Sequence, residues 1–258
     1  MKLYNLLVPD KSIVPILASL SHSGIYVPSN ISNQFKQNPK PVLTNMDWQL
    51  DKLYDFLPGL GITVLQATHS RYVVDLNREA KEPLFGPHVS SIVSQDNTQG
   101  SPLYEKEPAK AEIKARITKY YYPFHGKLKA TLAEMTKKYG HVLLLDLHSY
   151  FLRPVTDVCL GNCNGSTCSE SVITSFEQAF FAHGFSVAKN EVLTGGYITR
   201  HYCGMPNVES LQVELRFPAY LAGDYFGEAE ITEWDCDKFR NAKSRLHEVF
   251  NEIIKGLF

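Results

Sequence analysis

The chain has 258 residues, 26 of them Lys or Arg against 27 Asp or Glu, for a formal net charge of -1. An apolar fraction of 44% suits an ordinary soluble globular protein, and the lack of any basic or acidic tract argues against nucleic acid or an anionic membrane as partner. No apolar segment approaches the roughly 20 residues that span a bilayer, and the N-terminus lacks the apolar run of a signal peptide, so a cytoplasmic protein is expected.

In chain order, the apolar run at 16–20 predicts a first strand that delivers His22 just beyond its end. A loop with Pro28, Pro39 and Pro41 leads to a helix predicted over 47–57, with Trp48, Leu53 and Phe56 as apolar positions and Pro58-Gly59 as its stop. Residues 61–67 read as a second strand, and 71–77 as a further extended run. From Glu79 to Pro108 the chain is rich in Pro, Gly, Ser and Asn and holds little periodicity; a loop of that length is uncommon without a functional reason. Helices are expected over 109–139, interrupted near Pro123. The four consecutive apolar residues Val142 to Leu145 predict a strand buried on both faces, with Asp146 and His148 at its carboxyl end. A short strand at 157–160, a helix over 169–182, a loop opening at Gly195-Gly196, a strand over 210–216 with one polar face and a last helix over 237–255 complete the pattern. Strands alternating with helices predict one α/β domain over residues 1–258, a three-layer α/β/α arrangement with a mostly parallel mixed sheet. Such sheets bind ligands beyond the carboxyl ends of their strands.

Five cysteines, three of them close together at Cys159, Cys163 and Cys168, read as reduced thiols, because the count is odd and no paired CxxC occurs; a structural zinc on the trio is the less favoured alternative. Two histidines brought by two strand ends suggest a metal. Catalytic zinc commonly takes two imidazoles and a carboxylate and leaves a place for water, which points to His22, His148 and an acid, with Asp47 and Asp51 as candidates. Any single histidine of the nine is better read as surface or satisfied core; only the paired strand-end placement favours a ligand role. Asp146 suits support of a ligand or an N-cap. If 71–77 is extended, Arg71, Asp75 and Asn77 share a face and Arg78 takes the other, and Asp75 aims Arg71 at a carboxylate or a developing oxyanion; a surface salt bridge is the plain alternative. Glu214 suits a general base, against the commoner case of a solvated edge-strand acid. The loop at 195–201 brings Arg200 and His201, either to close over an anion or as a plain turn. No GxSxG elbow, GxGxxG or P-loop, or HExxH helix is present, so hydrolysis would rest on a metal-activated water.

These residues fall into ordered blocks: Ser21-His22-Ser23-Gly24 with Pro28, Asp47-Trp48 leading to Leu53-Tyr54, the run from Thr68 to Arg78, Asp146-Leu147-His148-Ser149, the run from Gly195 to His201, and Gln212-Val213-Glu214-Leu215-Arg216. Together they resemble the N-formylglutamate amidohydrolase (N-formylglutamate deformylase) family, with Pro123-Phe124-His125 similar to that family's Pro-Tyr-His. Each block alone is weak and the ordered set is specific, covering about 16–220. The resemblance implies a zinc-dependent amidohydrolase on a zinc-carboxypeptidase-like (phosphorylase/hydrolase-like) fold, cleaving N-formyl-L-glutamate to L-glutamate and formate in histidine degradation. The block from Asp75 to Arg78 also resembles that of aspartoacylase and succinylglutamate desuccinylase, where the Asn-Arg pair binds a substrate carboxylate and an upstream Arg polarises the scissile carbonyl. Carried over, Asn77 and Arg78 bind carboxylate and Arg71 stabilises the oxyanion, with Arg200, Asp75 and His201 beside them. In those relatives a Glu ligand follows the first His by three residues; here Ile25 stands there, so the acid comes from elsewhere, Asp47 first and Asp51 second.

The expected site is therefore zinc, or another divalent ion, on His22, Asp47 and His148, with Glu214 as base and then acid. The expected partner is a small N-acyl amino acid, with neither nucleic acid nor membrane; oligomeric state has no signal in the sequence. The alternatives are a deacylase of another N-acyl amino acid and a non-catalytic ligand-binding protein on the same fold.

Overall fold

A computed structural model describes residues 2–10, 12–151, 156–223 and 233–258. The strands are β1 (Tyr4–Leu7), β2 (Ile16–Leu20), β3 (Thr63–Ala67), β4 (Phe85–Gly86), β5 (Val93–Ser94), β6 (Val142–Tyr150), β7 (Val158–Gly161), β8 (Val187–Lys189) and β9 (Val208–Arg216). The α-helices are α1 (Ser29–Ser32), α2 (Leu50–Leu53), α3 (Lys110–Arg116), α4 (Tyr122–Tyr139), α5 (Glu170–Ala182), α6 (Tyr197–Tyr202), α7 (Phe217–Tyr220) and α8 (Asp237–Leu257). Seven strands form one sheet in the order β1-β3-β2-β6-β9-β7-β8. The central four, β3, β2, β6 and β9, are parallel; β1 joins antiparallel at one side, and β7 runs antiparallel to β9 with β8 parallel to it.

The chain steps from β2 one way to β3 and then back across to β6. Right-handed crossovers therefore place the connecting helices on opposite faces. On one face α4 and α6 meet through His125 and Tyr202, 2.8 Å apart. On the other, α8 packs on α5 and on the segment around α2, with Phe250 edge-on to Tyr54 at 5.8 Å and to Phe176 at 6.4 Å. Helices on both faces make the sheet core the middle of three layers. All nine residues of β6 are buried, as its run of apolar residues predicts for a central parallel strand.

Several expectations are corrected. The helix predicted over 47–57 shrinks to α2, because Gln49 turns left-handed (φ 58°) just before it, and Pro58-Gly59 lies inside a 3-10 turn at Leu57–Leu60. Residues 71–77 are not extended: Ser70 starts a turn by accepting Val73 N–H on its carbonyl and Tyr72 N–H on its hydroxyl. The helical run continues through Pro123 rather than breaking there; a π-helical turn at Ile117–Tyr121 leads directly into α4 and shifts the hydrogen-bond register just before a residue with no N–H to give. The loop at 195–201 closes into α6. β9 is not an edge strand, since β7 pairs along it, and its polar face is internal, with the start of α6 against Gln212, leaving Gln212 2% and Glu214 7% exposed. β1 and β8 are too short to show a period.

The chain leaving β2 crosses 68–69 at Gly24, where a Cβ would meet His69 O and Thr68 C at 2.5 Å. Both obstacles are backbone and cannot rotate away. Gly24→Ala should lose about 1–3 kcal/mol of stability by overpacking, read from the urea midpoint.

Candidate metal centre and cleft

A cleft of about 880 Å³ is lined by His22, His148 and Glu214, which sit at or just beyond the carboxyl ends of β2, β6 and β9. Ser19 pairs with Asp146, Asp146 with Gln212 and His148 with Glu214 in the strand register. Residues two apart on a strand share a face, so each central strand brings its polar groups to the same end of one face.

His22, Asp47 and His148 are buried, and one ligand atom from each lies within 4.8 Å of the others. His148 Nδ1 is 2.9 Å and His22 Nδ1 4.0 Å from Asp47 Oδ2. Ligand atoms on a tetrahedral ion at about 2.0–2.2 Å stand roughly 3.4 Å apart, so these separations need little adjustment. Both remaining ring nitrogens face acids. His22 Nε2 is 2.7 Å from Asp75 Oδ1, and His148 Nε2 is 3.0 Å from Asp146 Oδ1. Carboxylates behind metal-binding imidazoles fix the tautomer and the ring orientation. Burial opposes a charge on His148, yet Asp146 and Asp47 outweigh it and hold the imidazole well above 6.5. A proton held there marks a cation-seeking place, the property a metal site requires. Burial and the Arg71 charge lower His22, leaving the neutral imidazole that binds metal. Asp51 takes no part; it is about one-third exposed and lies 3.8 Å from Lys52 Nζ. Asp47 reaches the histidines because it precedes α2, and Tyr220 OH pins its neighbour by donating to Trp48 O at 2.9 Å. Ile25 is 52% exposed and outside the cluster.

The turn from Arg71 to Arg78 is organised by Asp75, which is fully buried. Its Oδ2 accepts from Arg71 Nε at 3.2 Å and Nη2 at 2.7 Å, and its Oδ1 accepts from Asn77 N–H at 2.8 Å. Burial alone would raise the Asp75 carboxyl, but Arg71, His22 and Arg78 hold it well below the usual range. Arg71 Nη1 also donates to Asn45 O at 3.2 Å. A guanidinium has five N–H groups, so Nη1 and Nη2 each keep one for a ligand. From the helical layer, His125 Nε2 lies 2.9 Å from Leu76 O, and Tyr121 OH donates to Arg78 O at 3.0 Å. A carbonyl only accepts, so His125 carries its proton on Nε2 and accepts from Tyr202 OH on Nδ1. Burial pushes its pKa down to about 4.

Glu214 lines the cleft, and burial pushes its carboxyl up to about 8; His148 and Arg71 oppose the rise, and Asp47 and Asp146 add to it. Gln212 Nε2 donates to Glu214 Oε1 at 2.8 Å.

Arg71, Asn77, Arg78 and Arg200 line the same cleft, so Arg78 does not take an opposite face. Asn77 is engaged within the protein: Nδ2 donates to Asp146 Oδ2 at 3.1 Å beside His148 Nε2, and Oδ1 accepts from Ile198 N–H at 2.7 Å. A Cβ on Gly196 would strike that amide, which is why the loop carries glycine there. Asp75 stands behind His22 and Arg71 rather than at the cleft wall. His201 is not brought in; it is exposed and its ring stacks on Tyr197 at 4.9 Å. The cysteines are free thiols, with Cys159 and Cys168 buried, and they join no cluster of metal-ligating side chains among the described residues. Sequence reasoning passed over Gln212 and His88. Gln212 shared the Glu214 face and was visible in the alternation; His88 lay in a loop without periodicity.

A mostly parallel α/β sheet that brings imidazoles and carboxylates to one cleft at its strand ends is the architecture of an α/β enzyme with a candidate metal site. The chain belongs to the N-formylglutamate amidohydrolase family, whose sequence model matches residues 14–221. It is therefore a hydrolytic enzyme acting on an amide. An N-formylglutamate deformylase of Pseudomonas putida is 31% identical over 222 residues, covering 81% of this chain and 82% of the relative; that of Pseudomonas aeruginosa is 32% identical over 221 residues, with the same coverage. The crystal structure of N-formylglutamate amidohydrolase from Ralstonia eutropha JMP134 superposes with a TM-score of 0.81 at 24% identity, covering 98% of this chain and 97% of the other, and supports the fold. Among the described residues no helix is long and apolar enough to cross a membrane.

The His125 shift sets a pH dependence. Its folded pKa of about 4 lies below the unfolded value of 6.5, so only the unfolded chain takes up this proton between them. Stability is full above pH 6.5 and falls as pH drops toward 4, by on the order of 3 kcal/mol. Urea titrations across that range should show a shallower fall in His125→Gln.

Proposed function

We propose that the chain hydrolyses N-formyl-L-glutamate to L-glutamate and formate, with zinc on His22, Asp47 and His148 and Glu214 as the proton-transfer group. The observation that carries this reading is the buried His22–Asp47–His148 cluster in one cleft with Glu214, which neighbours His148 across the sheet. The names of the Pseudomonas relatives supply the substrate.

Bound zinc supplies a Lewis acid and a positive charge, lowering the pKa of water from about 15.7 toward about 7 and pulling the Glu214 carboxyl down into its basic form. Glu214 takes a proton from the attacking water as it adds to the formyl carbon. It returns that proton to the amine nitrogen as the C–N bond breaks. The two spare N–H groups of Arg71 meet the carbonyl oxygen as it gains charge, an effect worth roughly 3–4 kcal/mol for a well-placed donor. Arg78 and Arg200 clamp the two substrate carboxylates, while the engaged amide of Asn77 holds their two loops together.

Formate release from N-formyl-L-glutamate tests the reading. Turnover should vanish with a chelator and return with zinc; tight binding without turnover would leave a binding protein instead. Glu214→Gln should lose about 10²–10⁴-fold in kcat with metal still bound. Asp47→Asn should weaken zinc binding at least about tenfold and Asp51→Asn should not, by competition with a chromogenic chelator. Arg78→Ala should raise KM steeply; an unchanged KM removes it from the carboxylate clamp.

A further inference from the structure

Gln212 is a primary amide in the middle of a sheet. It lies on β9 between Asp146 of β6 and Gly161 of β7 and is 2% exposed. Burying such a group is unfavourable unless its polar atoms are partnered. Both ends are partnered here. Its Oε1 accepts from Gly196 N–H, and its Nε2 donates to Glu214 Oε1 at 2.8 Å. A backbone N–H can only donate, so the amide has one allowed orientation, oxygen to Gly196 and nitrogen to Glu214. Gly196 O in turn accepts from Arg200 N–H at 3.1 Å. One side chain thus touches both the acid and the start of the helix that carries Arg200.

The side chain is matched to these tasks by length and polarity together. Asn is one methylene too short to span them. Met fills the space and satisfies neither partner. Glu keeps an acceptor for Gly196 but sets a second acceptor against Glu214.

We infer that Gln212 is a positioning residue for the hydrolysis: it fixes the orientation of the Glu214 carboxylate and docks the Arg200 loop against the same point. This rests on the reading of Glu214 as the proton-transfer group. Glu214 carries its carboxylate on a flexible stem, and a proton relay between a water and a leaving nitrogen tolerates little misplacement. A hydrogen bond along the strand, from the residue two before it, removes that freedom while engaging only one of the two carboxylate oxygens.

The test uses the full chain loaded with zinc, comparing Gln212→Met, Gln212→Glu and Glu214→Gln for formate release, metal content and thermal midpoint. Both Gln212 variants should lose about 10–100-fold in kcat with metal content unchanged. KM should stay within about twofold in Gln212→Glu, which keeps the Gly196 contact, and should rise in Gln212→Met, which frees the Arg200 loop. A purely structural role would not separate the two variants in this way. A Gln212→Glu kcat within about twofold of the parent, with Glu214→Gln inactive, overturns the inference and leaves the Glu214 reading standing. Near-normal turnover by Glu214→Gln overturns both.

Discussion

The buried carboxylate of Asp75 is the constraint on which the site depends. One oxygen receives His22 Nε2 and the backbone N–H of Asn77; the other receives two N–H groups of Arg71. A desolvated acid of this kind is tolerable only when every lone pair is answered by a donor, and removing one partner of a buried pair costs about 3–5 kcal/mol. The groups that satisfy Asp75 are those that the proposed chemistry needs in place. His22 is turned to present Nδ1 toward Asp47, and Arg71 is turned to present its free N–H groups to the cleft. The chain is bent at 75–77 so that Asn77 reaches Asp146 and Ile198. The same electrostatic demand thus folds the loop and aims its side chains.

A second acid repeats the logic from the neighbouring strand. Asp146 stands behind His148 as Asp75 stands behind His22, and Asn77 joins the two halves. Loop, strand and helix are then a single polar network with its open side toward the cleft. Networks of this kind are rigid when complete and costly when one member is missing.

Much of this was legible in the sequence where a period or a run of apolar residues was long enough to read. The central strands at 16–20 and 142–150 and the helices at 170–182 and 237–257 follow from burial patterns. Local readings failed where a tertiary partner outweighed propensity. Val73 and Val74 favour extension, yet the segment turns because the buried Asp75 carboxylate must be met by donors from Arg71, Asn77 and His22. Trp48, Leu53 and Phe56 suggest a helix from 47, but keeping Asp47 outside the helix lets its carboxylate meet two histidines. α6, at six residues, carries too short a period to be seen behind two glycines. In the site, His22, His148, Arg71 and Glu214 were visible from strand-end placement and ordered blocks. Asp47, not Asp51, lies beside the two histidines, a distance that no spacing encodes. His201 is exposed and outside the cleft lining because neighbours on a short helix point different ways.

The reversal of β7 against β9 divides the molecule into parts with different freedom to vary. His148 and Glu214 are delivered by strands whose register is fixed by neighbours on both sides, and His22 follows a third such strand. The rim of the cleft is made by the long loop after Arg78 and by the segment around 192–200, whose paths are set by loop hydrogen bonds and packing rather than by pairing in the seven-stranded sheet. Exposed rim positions such as Lys81, Val89 and Gln99 therefore shape the mouth of the cleft without contributing to the strands that carry His148 and Glu214.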